Sequence, residues 1–340
     1  QVATVTEWVN AGGKLIALAP DTQLYGLLGI TAAGSGLTNG YLRVESSASV
    51  GAGIFNGTMQ FHGTANTFTV SGAATIATLY SDSTTATPYA AVTLRSVGTS
   101  GGRAVAYAFD LATSIVYTRQ GNPAWDGQER DGTNPVRSND LFFGPYVWDP
   151  QPNWIDLNKL AVPQADEQQR LFAKLLNELS LDRRPLPRFW YFPNQHRAVV
   201  VMTGDDHGVV GPSGWFDRLI AASPPGCSVA NWECLRATTY VTLVPSFQFT
   251  TNTTALSDAQ AAGYVGSGFE VASHINTNCT NFTATSLQSF ASGQLNAFAQ
   301  KYVSIPAPTT VRHHCVVWSD WATGAKVQRG FGIRLDTNYY

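Results

Sequence analysis

The chain has 340 residues, 44% of them apolar, which is enough for two domains with a core apiece. Charged residues make up only 13% and the formal net charge is −2, so there is no electrostatic case for nucleic acid or an anionic membrane as a partner. No apolar run approaches the roughly 18 residues of a membrane span, and the wealth of Thr, Ser, Ala and Gly resembles secreted or cell-surface proteins more than cytosolic ones.

Val2 to Val9 reads as a short helix stopped by Gly12-Gly13, with Lys14 to Ala19 as the strand after it. From about residue 40 to 120 the pattern is β-rich. Runs such as Ala74 to Tyr80 and Ala90 to Leu94 are separated by clusters of Gly, Ser, Thr and Pro. Arg103 to Phe109 is a further strand, and Leu111 to Tyr117 a helix. Residues 120–160 lack periodicity and carry Trp125, Trp148 and Trp154, read as aromatics that pack loops, with sugar stacking as the alternative. Asp166 is expected to cap a helix with Leu171, Phe172, Leu175, Leu176 and Leu179 on one face. After it, Asp182 to Arg188 holds two prolines and three arginines and marks a boundary. The expected organisation is an N-terminal α/β domain with a β-rich portion over 1–182, a linker over 183–194 and a second domain over 195–340.

Four cysteines, Cys227, Cys234, Cys279 and Cys315, all lie in the second domain. Their spacing fits neither a zinc ribbon nor a redox CxxC pair. Cys227 with Cys234 would close a short loop beside Pro224-Pro225-Gly226 in an exported protein. Cys279 and Cys315 each follow a candidate active-site strand and form the other candidate pair.

The most informative stretch is Ala198-Val199-Val200-Val201-Met202-Thr203-Gly204-Asp205-Asp206-His207-Gly208. The valines read as a buried strand. Two adjacent carboxylates cannot follow it into a core without partners, because burying unpaired charge costs several kcal/mol. A cation at a strand end is the simplest partner, with one carboxylate holding the ion and the other free for proton transfer. Two further segments have the same make-up: Phe269 to Asn278, containing His274, and Thr309 to Trp318, containing Arg312, His313 and His314. Of the six histidines, four fall in these three segments. Between the last two segments, Leu287, Phe290, Leu295, Phe298 and Tyr302 keep helical spacing, which gives a βαβ reading.

In order and spacing these segments resemble the metal-dependent polysaccharide deacetylases, the carbohydrate esterases that act on chitin and exopolysaccharides. The likeness covers about 145 residues from Arg197 onward. It implies a distorted (β/α) barrel. The family's first motif, Thr-x-Asp-Asp-Gly, matches Thr203-Gly204-Asp205-Asp206 with His207 in the Gly place. It implies Asp205 as catalytic base and Asp206 as metal ligand. The second motif, a His-x-x-x-His pair, matches at His274 but has Asn278 in the second place. The third implies that Arg312 orients the base. Gly332 to Tyr340 is similar to the fourth motif, a strand leading to an Asp. A fifth motif, with the family's general-acid His, would fall beyond Tyr340. The first domain weakly resembles flavodoxin-like domains related to class I glutamine amidotransferases, through Trp8 to Leu18 and Gly102 to Tyr107. It has no cysteine, so that chemistry is excluded there.

The resemblance implies a secreted, zinc-dependent or otherwise divalent-metal-dependent enzyme that removes N-acetyl groups from a hexosamine polysaccharide. Asp206, His274 and Asn278 would hold the ion, with His207, His313 or a water as substitutes for Asn278. Asp205 and Arg312 would do the proton chemistry, and Trp318 would bind sugar. His313 and His314 are adjacent, so at most one should face the site. Two alternatives stay open: a non-catalytic carbohydrate-binding descendant, and an O-acetyl carbohydrate esterase.

Overall fold

The computed structural model describes residues 1–144, 153–182, 199–207, 211–243 and 256–338. The expected linker, with Trp148 and Tyr339, lies outside them. The chain divides into two compact units, Gln1–Asn122 with Asn153–Phe189, and Pro123–Pro152 with Trp190–Tyr340. Each is mixed α/β.

The first unit begins with helix α1 (Val2–Asn10) and strand β1 (Lys14–Leu18), as the Gly12-Gly13 stop predicts. Strands β2 (Tyr41–Val44), β3 (Thr58–Gln60), β4 (Ala74–Tyr80), β5 (Ala86–Val97) and β6 (Gly102–Tyr107) follow. Helices α2 (Leu111–Gln120) and α3 (Gln164–Ser180) complete it. The six strands order as β1-β6-β5-β4-β2-β3. Only β1 and β6 run parallel, and they are the segments that carry the flavodoxin-like resemblance. Short turns link β4 to β5 and β5 to β6, which makes those neighbours antiparallel. Asp110 caps α2 by accepting the N–H groups of Ala112 and Thr113. Helix α3 starts two residues before Asp166. That carboxylate sits in the first turn and pairs with Arg119 rather than capping the helix. Leu171, Leu175 and Leu179 bury on one face as the spacing predicts, while Leu176 is exposed.

The second unit alternates strand and helix: β7 (Thr203–Asp205), α4 (Gly211–Ala222), β8 (Thr238–Val241), α5 (Asp258–Gly266), β9 (Glu270–Ile275), α6 (Ala284–Lys301), β10 (Thr310–His313), α7 (Thr323–Gly330) and β11 (Leu335–Asp336). The five strands are parallel and lie side by side in chain order. That sequential order is how the wall of a (β/α) barrel is built. Capping boxes at Ser257 and Thr283 start α5 and α6. Leu287 and Ala291 of α6 pack with Ile275, Val311 and Val317 beneath the sheet. On β7, a Cβ at Gly204 would stand 3.0 Å from the Trp215 ring, so glycine lets α4 pack closely on this strand without displacing that ring.

The valine run departs from expectation. Val199, Val200 and Val201 are exposed, and pairing of β7 with β8 begins only at Thr203. Residues 123–144 also depart, since the sequence reading placed them in the first domain and they pack in the second unit. Val136 donates its N–H to Asn281 and accepts from Trp318, and Ser138 donates to the Asn338 carbonyl. The buried Asp140 carboxylate gathers the N–H groups of Arg130, Asp131 and Arg137 and so closes this loop on itself.

Candidate metal centre

The polar residues expected to act together do converge, at the C-terminal ends of the parallel strands. Asp205 is the last residue of β7 and is followed by Asp206 and His207. His274 near the end of β9 lies in register with Arg312 of β10. Strands β7 and β10 are three places apart in the sheet, which would separate them by about 14 Å if it were flat. Yet Arg312 Nη1 is 3.3 Å from Asp205 Oδ1. The sheet must curl so that both side chains point to its concave side. They line a cleft of about 400 Å³ with His207, Cys315, Thr337 and Asn338.

Asp205 Oδ1 also lies 3.9 Å from His274 Nδ1, and Oδ2 lies 3.9 Å from His207 Nε2. The second Arg312 terminal nitrogen donates to the Thr337 carbonyl at 3.4 Å, which fixes the guanidinium plane. The Asp206 carboxylate is held by Thr242, whose N–H donates to Oδ2 at 2.6 Å and whose hydroxyl lies 3.2 Å from Oδ1.

Three imidazoles stand together. Ring centroids of His207, His274 and His314 form a triangle with sides of 5.3 to 5.5 Å. One ring nitrogen of each lies within 4.8 Å of the others. Each ring has an outer partner on Nδ1. For His274 it is the Arg312 carbonyl at 3.1 Å, for His207 the Asp206 carboxylate at 3.5 Å, and for His314 the sulfurs of Cys279 and Cys315, both at 3.3 Å. A carbonyl can only accept, so His274 carries its proton on Nδ1 and leaves the Nε2 lone pair bare. That Nε2 is buried and has no hydrogen-bond partner among the described residues. Burial is the main cause that pushes the His274 pKa down to about 3, against the upward pull of Asp205. Burial, and then His207, likewise lower that of His314. Both rings are therefore neutral near pH 7, the form in which imidazole binds a metal.

Of the expected ligands Asp206, His274 and Asn278, only His274 stands in the imidazole cluster: the Asp206 carboxylate is engaged by Thr242 and lies 3.5 Å from His207 Nδ1. Asn278 is exposed, in left-handed backbone at φ 60°, with its N–H turned to Asn276 Oδ1. This is turn chemistry, which Asn tolerates better than other side chains. His207 and His314 take the place beside His274. His313 is fully buried away from them, with Nδ1 3.1 Å from the Val317 carbonyl and Nε2 3.2 Å from Gln328. One histidine of the pair is in the cluster and the other in the core: His313 ends β10, and His314 opens the short helical turn that follows it. Trp318 is only 6% exposed, so its ring packs inside the unit instead of offering a face to sugar. Trp125 is buried beneath Arg130, and Trp154 stacks on His62. Both candidate cysteine pairs, Cys227–Cys234 and Cys279–Cys315, are disulfides. The sequence signal for His207 and His314 was their place within two residues of the ends of the strands that finish in Asp205 and His313.

No protein-family model matches the chain, and no curated protein does. Among solved structures, partial similarity exists to the β-galactosidase of Rahnella sp. R3, at 21% identity over 32% of this chain and 18% of that one, with a TM-score of 0.26. The exo-β-1,4-mannosidase Op5Man5 from Opitutaceae bacterium strain TAV5 matches at 19% identity over 34% and 20%, with a TM-score of 0.27. The β-galactosidase of Bacillus circulans sp. alkalophilus matches at 13% identity over 32% and 18%, with a TM-score of 0.25. The chain thus spans a fifth or less of the length of these structures. Similarity this partial decides neither fold nor activity.

Proposed function

We propose that the second unit is a metal-dependent hydrolase that removes N-acetyl groups from a hexosamine-containing polysaccharide, on a deacetylase-type (β/α) barrel. The observation that carries this reading is His274: a neutral, buried imidazole, its Nδ1–H spent on a carbonyl and its Nε2 without a partner among the described residues, whose ring stands 5.3 to 5.5 Å from two further imidazoles. A bare buried lone pair is costly unless a cation takes it. Three nitrogen donors with an open fourth position are the donor set of a catalytic zinc site. His207, His274 and His314 would hold the ion, and Asp206 would orient His207.

When bound, the metal supplies a Lewis acid for the acyl carbonyl and a water of lowered pKa. Asp205 sits beside the cluster, where it would accept a proton from an attacking water. Arg312 holds Asp205 in place through the contact at 3.3 Å. The C–N bond then breaks, giving acetate and a free amine. Asp205, having taken the proton, is the group placed to return it to the leaving nitrogen. The two disulfides support an oxidising compartment, and hence export.

The test is elemental analysis beside acetate release from N-acetylated and O-acetylated hexosamine polymers. The expected result is one zinc per wild-type chain, lost in His274→Ala, and acetate from the N-acetyl polymer. Acetate from the O-acetyl polymer alone would move the reading to an esterase. A chain that takes up no metal from added Zn²⁺ would leave a carbohydrate-binding protein.

A further inference from the structure

His314 differs from the other two imidazoles in how it is held. His207 and His274 rest on a carboxylate and a carbonyl, the usual outer partners of metal-binding histidines. His314 rests on sulfur. We propose that the Cys279–Cys315 disulfide is a positioning group of the metal centre, which fixes both the place and the tautomer of His314 as the third nitrogen donor. The inference rests on the metal-centre reading above.

The argument for place comes from the backbone. His313 and Val317 are both fully buried, and the Val317 carbonyl returns to within 3.1 Å of His313 Nδ1. Residues 314–316 therefore form a tight arch between two anchored points. The disulfide ties that arch to the loop after β9, with Cα atoms 5.4 Å apart. On both sides of the tie the chain is left-handed without glycine: Asn278 at φ 60° and Cys279 at 52°, Cys315 at 61° and Val316 at 51°. For a β-branched residue such as Val316 this is an unfavourable conformation that the surroundings must enforce. Besides the disulfide, Arg137 donates to the Cys315 carbonyl at 3.1 Å.

The argument for tautomer comes from donor and acceptor chemistry. Disulfide sulfurs carry no proton and can only accept. With both sulfurs 3.3 Å from Nδ1, the ring proton belongs on Nδ1, which makes Nε2 the unprotonated nitrogen of the ring. His274 reaches the same state through the Arg312 carbonyl. A thiol, by contrast, can donate to Nδ1 and favour the opposite tautomer.

The experiment measures Zn²⁺ affinity in the full chain by competition with a chromogenic chelator. The proteins are wild type, His274→Ala, His314→Ala, the double variant Cys279→Ala/Cys315→Ala, and the triple variant that adds His314→Ala to it. The expected loss for the double variant is about 10- to 100-fold, the usual effect of removing an outer partner. The triple variant should bind no more weakly than His314→Ala alone, because the disulfide acts through that ring. Bound Co²⁺ should show the same altered visible spectrum in both. Wild-type affinity in the double variant, or losses that add in the triple variant, would overturn the inference and leave the metal centre standing. If wild type binds no Zn²⁺, or His274→Ala binds as wild type does, the metal reading itself fails. Should the double variant not fold, the Cys227→Ala/Cys234→Ala protein can be reduced with a phosphine and reoxidised. Affinity that falls and returns supports the inference; affinity that never changes overturns it.

Discussion

His62 in the first unit and His274 in the second are both almost fully buried, and each has a ring nitrogen without a hydrogen-bond partner among the described residues. Burial pushes both pKa values down, to about 4 for His62 and about 3 for His274. Their surroundings differ. His62 lies flat on Trp154, ring centroids 4.1 Å apart, beside a network in which Gln164 and Gln168 bond the Gln60 backbone. None of these neighbours ionises. His274 faces two imidazoles and the Asp205 carboxylate, which in turn holds the Arg312 guanidinium. Burial of an imidazole is thus a product of strand packing that either unit can achieve. Convergence of several donors on one strand end is what separates a candidate centre from a packed ring.

The largest effect expected from this contrast is in metal binding. His274→Ala should reduce zinc uptake to background, measured by elemental analysis after dialysis. His62→Phe should bind zinc as wild type does, because nothing around it offers a second ligand. Zinc lost equally in both would mean that the two rings differ less than their neighbours suggest. Next comes the proton chemistry. Asp205→Asn removes the base and keeps the shape, so acetate release should fall by about 10²- to 10⁴-fold with zinc content unchanged. Arg312→Ala should also slow the reaction while zinc stays bound. If Asp205→Asn instead costs the metal and spares the rate of whatever protein stays loaded, Asp205 is a ligand and not a base.

Much of this centre was legible in the sequence. Asp205, His274 and Arg312 were placed together by motif order, and they meet within 3.9 Å. What the sequence could not supply was curvature and turn geometry. The inward curl from β7 to β10 decides which residues beyond the strand ends meet, and it selects His207 and His314. The left-handed turn at Asn278 takes that residue out of the cluster, and no periodicity encodes it. Trp318 is an aromatic next to a site in sequence, yet its ring is core, because Val317 and Trp318 anchor the end of the arch. In the first unit, helix and strand positions followed the pattern closely. The exception that matters is the loop 123–144, whose buried hub, Asp140, is one polar residue in a stretch without period.

The stability of the first unit should carry a pH signature that the metal centre does not set. Unfolded His62 takes up a proton below about 6.5, whereas the folded ring stays neutral down to about 4. Between these values the unfolded state binds more protons, so stability rises with pH through the window and is lost as pH falls. The full change is about 3 kcal/mol. Urea unfolding at steps from pH 4 to 7 should show that slope, and His62→Phe should flatten it. An unchanged slope in the variant would place the titrating group elsewhere.

The smallest expected effect compares two arginine–carboxylate pairs. Arg119 and Asp166 meet at 2.6 Å with half or more of each side chain in solvent, and Arg119 also reaches Gln169. Arg312 and Asp205 meet at 3.3 Å with a quarter of each exposed. By distance alone the first pair should be stronger. Solvent screening and the entropy of holding two long side chains cancel most of that gain, so Arg119→Ala should change unfolding free energy by about 0.5 kcal/mol or less. In Arg312→Ala, Asp205 is left half-buried beside His274 without its cation, and the cost should exceed that of Arg119→Ala. Chemical unfolding of both variants measures the difference. If Arg119→Ala proves the more damaging, the contact distance and not the surroundings governs these pairs, and the case for Arg312 as a group that serves Asp205 weakens with it.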